Sequence, residues 1–321
     1  MKLLLVINPA SGTRSKLGLI PFIVNRLERS GFTVETRLTR GAGDATRYAA
    51  EAVGDGYDGV VACGGDGTVN EVATALCGTS TALGIIPTGS GNGLARHLEI
   101  PVDVSSSLKV IAERNIRACD YGTANGRPFF CTFGVGFDAA VSDRFARQKR
   151  RGLMMYLKSA VDEFVKYSPE EYVIESNGQV LTERAFLIVC CNASQYGNNA
   201  FIAPQASITD GLLDLTIVHS GNLLTRALLG VDLMTGFIGK NALIHTISTR
   251  SATIRRHHRG SVHLDGDPAT MPETIEIDCH PGGIRIFSPT KSTRFRPLLT
   301  PSYLAMRDFF FAAGRLVGIA K

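Results

Sequence analysis

The chain has no tryptophan, and only 7% of it is aromatic. Its basic residues therefore lack the interleaved ring platforms on which single-stranded nucleic acid stacks, which argues against a nucleic-acid partner. It also lacks a CxxC pair: cysteines 63, 77, 119, 131, 190, 191 and 279 are scattered, mostly inside apolar runs. That pattern excludes a disulfide framework and reads as reduced core thiols in a cytoplasmic protein. No segment offers the ~20 uninterrupted apolar residues needed to cross a bilayer as a helix. The apolar start Leu3–Ile7 is too short for a signal peptide and runs straight into Asn8–Pro9, the signature of a buried strand ending in a turn. Two common nucleotide fingerprints are missing as well, the GxxxxGK[ST] phosphate loop and a complete GxGxxG with an acidic partner downstream.

What is present is an ordinary globular composition, 44% hydrophobic and 20% charged over 321 residues, long enough for two domains. The first third repeats one unit, an apolar run, a Gly/Thr/Asn-rich turn and a helical pattern. The runs are Leu3–Ile7, Thr33–Leu38, Gly59–Cys63 and Ala82–Ile86, and the helical segments are Leu17–Ser30, Gly43–Gly54 and Val69–Cys77. Continuous apolarity in the runs predicts parallel strands covered on both faces. After Asp120 the pattern becomes strands separated by turns: Pro128–Phe133, Glu171–Ser176, Ala185–Asn192, Leu213–Val218, Ser261–Leu264, Thr274–Cys279 and Ile284–Phe287. Turn signals such as Asn177–Gly178 and Pro281–Gly282–Gly283 predict an antiparallel sandwich or barrel. Helical stretches are expected at Phe145–Tyr167, Leu223–Asn241 and Tyr303–Ile319.

In a doubly wound sheet, ligands bind beyond the carboxyl ends of the strands. All four early strands end in permissive loops: Asn8–Gly12, Thr39–Ala45, Gly64–Thr68 and Pro87–Gly93. Glycines such as Gly12, Gly64, Gly65, Gly67 and Gly89 let backbone N–H groups approach an anion, and Thr68 and Ser90 add hydroxyl donors. The expected occupant of the shared rim is a polyphosphate. A carboxylate inside such a loop, Asp66, implies an intervening Mg²⁺, unless it simply caps the helix that follows. Asp265–Gly266–Asp267 offers two further carboxylates in a turn, as proton acceptor and metal ligand or as plain turn formers. Asp210–Gly211 has the same two readings, a turn before a strand or a small cation site.

These segments resemble the diacylglycerol kinase catalytic domain family, which includes bacterial lipid kinases and eukaryotic sphingosine and ceramide kinases. The resemblance rests on six motifs in order: Asn8–Gly12, Gly64–Glu71, Pro87–Asn92, Gly134–Ala139, Asp210–Gly211 and Asp265–Asp267. It implies an α/β plus β architecture. A Rossmann-like nucleotide-binding domain of phosphofructokinase/NAD kinase type covers 1–122, and a β-sandwich lipid-substrate domain covers 123–296, with the tail 297–321 packing back on the first. It further implies ATP contacts at Asn8, Ser11, Thr39, Gly64, Gly65, Asp66, Gly67, Thr68, Val69, Asn70 and Ser90. Asp66 would organise the catalytic Mg²⁺, the Asp265–Asp267 motif would supply the general base with Asp267 near metal, and Ser207, Asp210 and Leu212 would form a structural Mg²⁺ site. Two positions depart from the pattern. Gly93 stands where bacterial members carry an acidic residue, so that Gly89–Asn92 is closer to the sphingosine kinases, and Asp267 stands where Glu is usual.

The expected activity is ATP- and Mg²⁺-dependent phosphorylation of a lipid hydroxyl, of diacylglycerol or a sphingoid base, by a cytoplasmic enzyme that associates peripherally with a membrane; a homodimer is compatible with this. Rival readings are an NAD kinase-like small-molecule kinase and an inactive nucleotide-binding regulator. Membrane contact would fall on the basic and apolar segment Arg147–Tyr156 or on the tail around Phe309–Phe311.

Overall fold

A computed structural model describes residues 1–10, 17–147, 167–198, 200–219, 232–233 and 243–290. The N-terminal half begins with β1 (Lys2–Ile7), a 3-10 turn at Leu17–Leu19, α1 (Ile20–Arg29), β2 (Thr33–Leu38), α2 (Asp44–Gly54), β3 (Gly59–Gly64), α3 (Asp66–Leu76) and β4 (Ala82–Pro87). The short α4 (Gly93–His97) and α5 (Val104–Ala112) follow. All four strands are parallel, with β1 between β2 and β3 and with β4 outside β3. The order therefore reverses between β1 and β3, the switch point at which such sheets open a crevice. Alternate residues of β1 serve two cores: Leu4 and Val6 pack with α2 and α3, whereas Leu3, Leu5 and Ile7 pack with α1 and α5. Burial on both faces explains the unbroken apolar run, each such side chain contributing about 1.5–3 kcal/mol.

The second half adds β5 (Ile116–Ala124), β6 (Arg127–Phe129), β7 (Thr132–Gly136), α6 (Phe137–Ala146), β8 (Glu170–Ser176), β9 (Gln179–Cys191), β10 (Leu213–His219), β11 (Ile244–Thr249), β12 (Ser251–Arg256), β13 (Gly260–Leu264), β14 (Asp267–Met271) and β15 (Thr274–Phe287). These strands pair antiparallel around an apolar interior containing Phe129, Phe133, Ile188, Leu215 and Ile254. The junction is continuous. β15 runs antiparallel to β5 for most of its length, and Ile286 near its end pairs in parallel with Leu83 of β4.

The structure departs from the sequence expectations at several places. Pro128–Phe133 is two strands, because the amides of Phe130 and Cys131 turn toward a carboxylate instead of a ladder partner. Pro281–Gly283 lies within β15 as an irregularity, where Gly282 N–H is held by Asp120 Oδ1 at 2.7 Å. A helix that was not expected, α6 at Phe137–Ala146, follows Gly136 at φ 99°, a backbone angle that glycine tolerates, and the expected helix Phe145–Tyr167 lies almost wholly outside the described residues. The expected helix Leu223–Asn241 falls almost wholly outside the described residues, as do Gln148–Lys166 and the tail 291–321. Among the described residues no helix is long and apolar enough to cross a membrane.

Candidate functional site

Parallel pairing puts all four permissive loops at one rim, and α3 ties them together. Asp66, in its first turn, accepts hydrogen bonds from the amides of Asn92 (2.8 Å) and Gly93 (2.7 Å), pinning the loop after β4. Thr68 Oγ1 accepts from Asn8 Nδ2 at 3.2 Å, pinning the loop after β1. Glu71 accepts from the amides of Gly43 (3.0 Å) and Ala45 (3.1 Å), pinning the loop after β2. The Gly64–Glu71 segment is thus the organiser of the rim as well as part of it. Two glycines let the loops after β3 and β4 pack backbone on backbone: a Cβ on Gly89 would stand 2.5 Å from Gly65 Cα. Asn92 holds this turn at φ 54°, its side chain exchanging hydrogen bonds with Gly89 N–H (3.1 Å) and O (3.0 Å).

Gly67 differs from these. It has no positive φ, is exposed, and a Cβ there would meet nothing within 4 Å. It sits at the start of α3, where backbone N–H groups have no intrahelical acceptor and the helix dipole favours an anion. Bare backbone donors beside open space are what a phosphate group needs. Ser90 and Asn70 lie at the same rim, Ser90 exposed and Asn70 half-buried. The Thr39 hydroxyl is buried and turned to Ile7 O at 3.4 Å, and Val69 is a buried core residue. Ser11 and Gly12 lie outside the described residues.

The second half reaches this rim through Cys131. Gly93, whose amide binds Asp66, lies so that its Cβ would be 3.6 Å from Cys131 Sγ. The Cys131 amide in turn donates to Asp265 Oδ1 at 2.7 Å. Burial pushes the Cys131 thiol well above its ordinary pKa, and the charges of Asp265 and Asp66 reinforce the shift. Asp66 and the Asp265 turn are thereby neighbours across one buried thiol.

Asp265 and Gly266 form the two-residue connection between β13 and β14, with φ of 51° and 87°, the left-handed pair of a tight hairpin. The Asp265 carboxylate accepts three amides, those of Phe130 (2.8 Å), Cys131 (2.7 Å) and Thr132 (2.8 Å). Burial pushes its pKa up to about 6 although the three donors pull it down. Occupied in this way, Asp265 is an anchor for the turn. Asp267, two residues on, is exposed at the head of β14. Of the turn's two carboxylates it is the more exposed.

Sequence reasoning missed two buried groups. Asp120 accepts the amides of Gly211 and Gly282, each at 2.7 Å, and so builds the Asp210–Gly211 turn; an acid embedded in the run Ala118–Tyr121 was the available signal. Asp138 and His263 form a buried pair, Nε2 to Oδ2 at 2.9 Å, which required knowing that β7 lies beside β13.

Among the described residues no group of three or more His, Cys, Asp or Glu side chains converges on a common point. Asp66 and Asp267 belong to different halves, while Ser207, Asp210 and Leu212 share one loop in which Asp210 Oδ1 accepts the Leu212 amide at 3.0 Å. Partial desolvation, with Asp214 and Asp120 adding repulsion, raises the Asp210 pKa. Such sparse carboxylates suit Mg²⁺, which takes one or two of them together with phosphate oxygens and water, rather than an all-protein metal cage.

Residues 2–124 match the diacylglycerol kinase catalytic domain, and residues 131–288 match the YegS C-terminal NAD kinase beta sandwich-like domain. The chain is 32% identical over 283 residues to a protein of Xanthomonas axonopodis pv. citri named "Probable lipid kinase YegS-like", covering 83% of this chain and 90% of that one. It is 28% identical over 273 residues to a diacylglycerol kinase of Bacillus subtilis, with the same coverage of each chain. A crystal structure of a diacylglycerol kinase from Bacillus anthracis superposes with a TM-score of 0.71 at 24% identity, over 90% of this chain and 97% of the other.

Proposed function

The chain belongs to the lipid kinase family that joins a diacylglycerol kinase catalytic domain to a YegS-type β-sandwich, and from that premise we propose that it uses ATP and Mg²⁺ to phosphorylate the hydroxyl of a lipid such as diacylglycerol or a sphingoid base. The observation that supports this most is the adjacency of the glycine rim and the Asp265–Asp267 turn across Cys131. Transfer needs a phosphate cradle and a proton acceptor within one bond-forming distance of a shared acceptor.

In this reading the amides of Gly67 and Thr68 bind phosphate oxygens, assisted by Asn8, Ser11, Gly12, Thr39 and Ser90. Asp66 keeps the 88–93 loop in place with one lone pair of each oxygen and offers the remaining lone pairs toward the metal. Asp267 would take the proton of the attacking hydroxyl as its oxygen bonds to the γ-phosphorus and the bond from that phosphorus to the departing ADP oxygen breaks, and Asp265 holds the turn that carries Asp267. When bound, ATP supplies the γ-phosphoryl group and Mg²⁺ neutralises its developing charge. Unit 1–122 would hold the nucleotide and unit 123–296 the lipid at a membrane surface, with Ser207, Asp210 and Leu212 available to a second, structural Mg²⁺.

The test is phosphorylation of a mixed lipid extract with labelled ATP and Mg²⁺, with NAD as a parallel acceptor and Asp267→Asn as control. A labelled lipid formed by the natural protein and lost in the variant is expected. Label on NAD instead, or ATP binding with no transfer to any lipid, overturns the proposal.

A further inference from the structure

Beside the rim lies a buried polar chain that the phosphotransfer reading leaves unused. His263 is 1% and Asp138 5% exposed. His263 Nδ1 accepts the Gly266 amide at 3.3 Å, so Nε2 carries the ring proton and donates it to Asp138 Oδ2 at 2.9 Å. Tyr196 Oη–H donates to the same Oδ2 at 3.2 Å, and the Ala139 amide donates to Oδ1 at 2.8 Å. Space for the pair exists only because Gly134, opposite His263 in the β7–β13 register, has no side chain: a Cβ there would collide with both Asp138 Oδ2 and His263 Nε2. The chain then continues to the rim. Asn198 N–H donates to Gly91 O at 3.3 Å, Gly197 packs on Gly91, and Tyr196 O lies beside Gly93.

We infer that His263 is a positioning residue, which through Asp138 and Tyr196 fixes the Asp265–Gly266–Asp267 turn relative to the 88–93 loop. The inference rests on the kinase reading for its consequence and on geometry for its substance. Each link is a hydrogen bond or a packed glycine, with no exposed side chain in the path from Gly266 to Tyr196. Buried polar groups of this kind cost stability unless every member is satisfied, and here the four donors and acceptors around Asp138 and His263 are. A polar chain of this sort fixes one arrangement where an apolar core would tolerate several, and a displacement of about 1 Å in a reacting group lowers turnover by about a hundredfold.

The experiment compares the natural full-length protein with His263→Ala, His263→Asn, His263→Gln and Tyr196→Phe. Lipid phosphorylation gives kcat and the KM for ATP, and amide hydrogen exchange is followed at Gly266. For His263→Ala, kcat is expected to fall about 10- to 100-fold with the KM for ATP within about twofold. Asn, which keeps an acceptor near the Nδ1 position, is expected to restore most of the loss, whereas Gln, which leaves the Gly266 amide unsupported, is not. Exchange at Gly266 should quicken at least about tenfold in the Ala variant and return toward the natural rate in Asn. Unchanged kcat, equal defects in Ala and Asn, or a parallel loss of kcat, ATP affinity and thermal stability would overturn the inference. If the natural protein phosphorylates no lipid, the kinase reading alone fails, and Gly266 exchange across the same variants still decides whether His263 holds the turn.

Discussion

The two halves of the site use the same device and distribute it differently. At the glycine rim, three side chains of one helix, half-buried Asp66 and Glu71 and buried Thr68, each hold a different loop. In the β-rich half, one carboxylate, Asp265, holds three consecutive amides in a desolvated setting. Load shared among several partly solvated contacts tolerates the loss of one. Load concentrated on one acceptor does not, since its removal strands three donors.

The sharpest test is Asp265→Ala, expected to cost about 4 kcal/mol in urea unfolding, or to prevent folding, because the Phe130, Cys131 and Thr132 amides lose their acceptor. A cost below about 1 kcal/mol would erase the contrast with the rim. Asp66→Ala comes next: about 1–2 kcal/mol of stability, a folded protein, and turnover reduced beyond detection because the 88–93 loop loses its anchor. Full activity in that variant would remove Asp66 from the site.

Acid separates the halves by sign. His97 Nδ1 accepts the Ser194 amide at 3.1 Å across the junction, and burial with the nearby Arg117 lowers its pKa from 6.5 to about 4. Its stabilisation is therefore present above pH 6.5 and is lost as pH falls toward 4. Asp265, raised from 3.8 to about 6, contributes in the opposite direction: the pH-dependent part of its contribution is complete below 3.8 and is lost as pH rises through 6, while its hydrogen bonds to the three amides remain. Unfolding free energies measured against pH should give natural-minus-His97→Asn and natural-minus-Asp265→Asn curves of opposite slope. The smallest effect belongs to Gly67→Ala. With open space around the new methyl, stability should change by less than about 0.5 kcal/mol, while the KM for ATP rises about tenfold as the methyl blocks the bare amides. An unchanged KM would move the phosphates elsewhere on the rim.

How much of this could be read from the residues follows the range of the interactions. β1, β3 and β4 were legible because burial on both faces leaves an unbroken apolar run, whereas β2, expected to be covered in the same way, lies at the sheet edge with four of its six residues exposed. β5, β11, β12, β14, α4 and α5 were not recognised, and β15 was broken at Pro281–Gly283 because the Asp120 anchor that keeps the chain on course is 162 residues away from Gly282. Asp66, Asp265 and Asp267 stood out by their glycine neighbours, but which of them is saturated by amides depends on contacts from other strands. Asp120 shows only as an acid in an apolar run, Asp138 only as part of the Gly134–Ala139 motif and His263 not at all, since each draws its role from a partner brought by topology.

The ribbon of β5 and β15 has a mechanical consequence. Eight residue pairs zip these strands together through both cores, from Ile277 with Ala124 to Phe287 with Ile116. A hinge usually needs a thin, solvated tether, and here the crossing is a stiff double spar. The jaws on either side of Cys131 are consequently set at a constant gape, and heat should melt the molecule in one step, neither half standing once the other has gone.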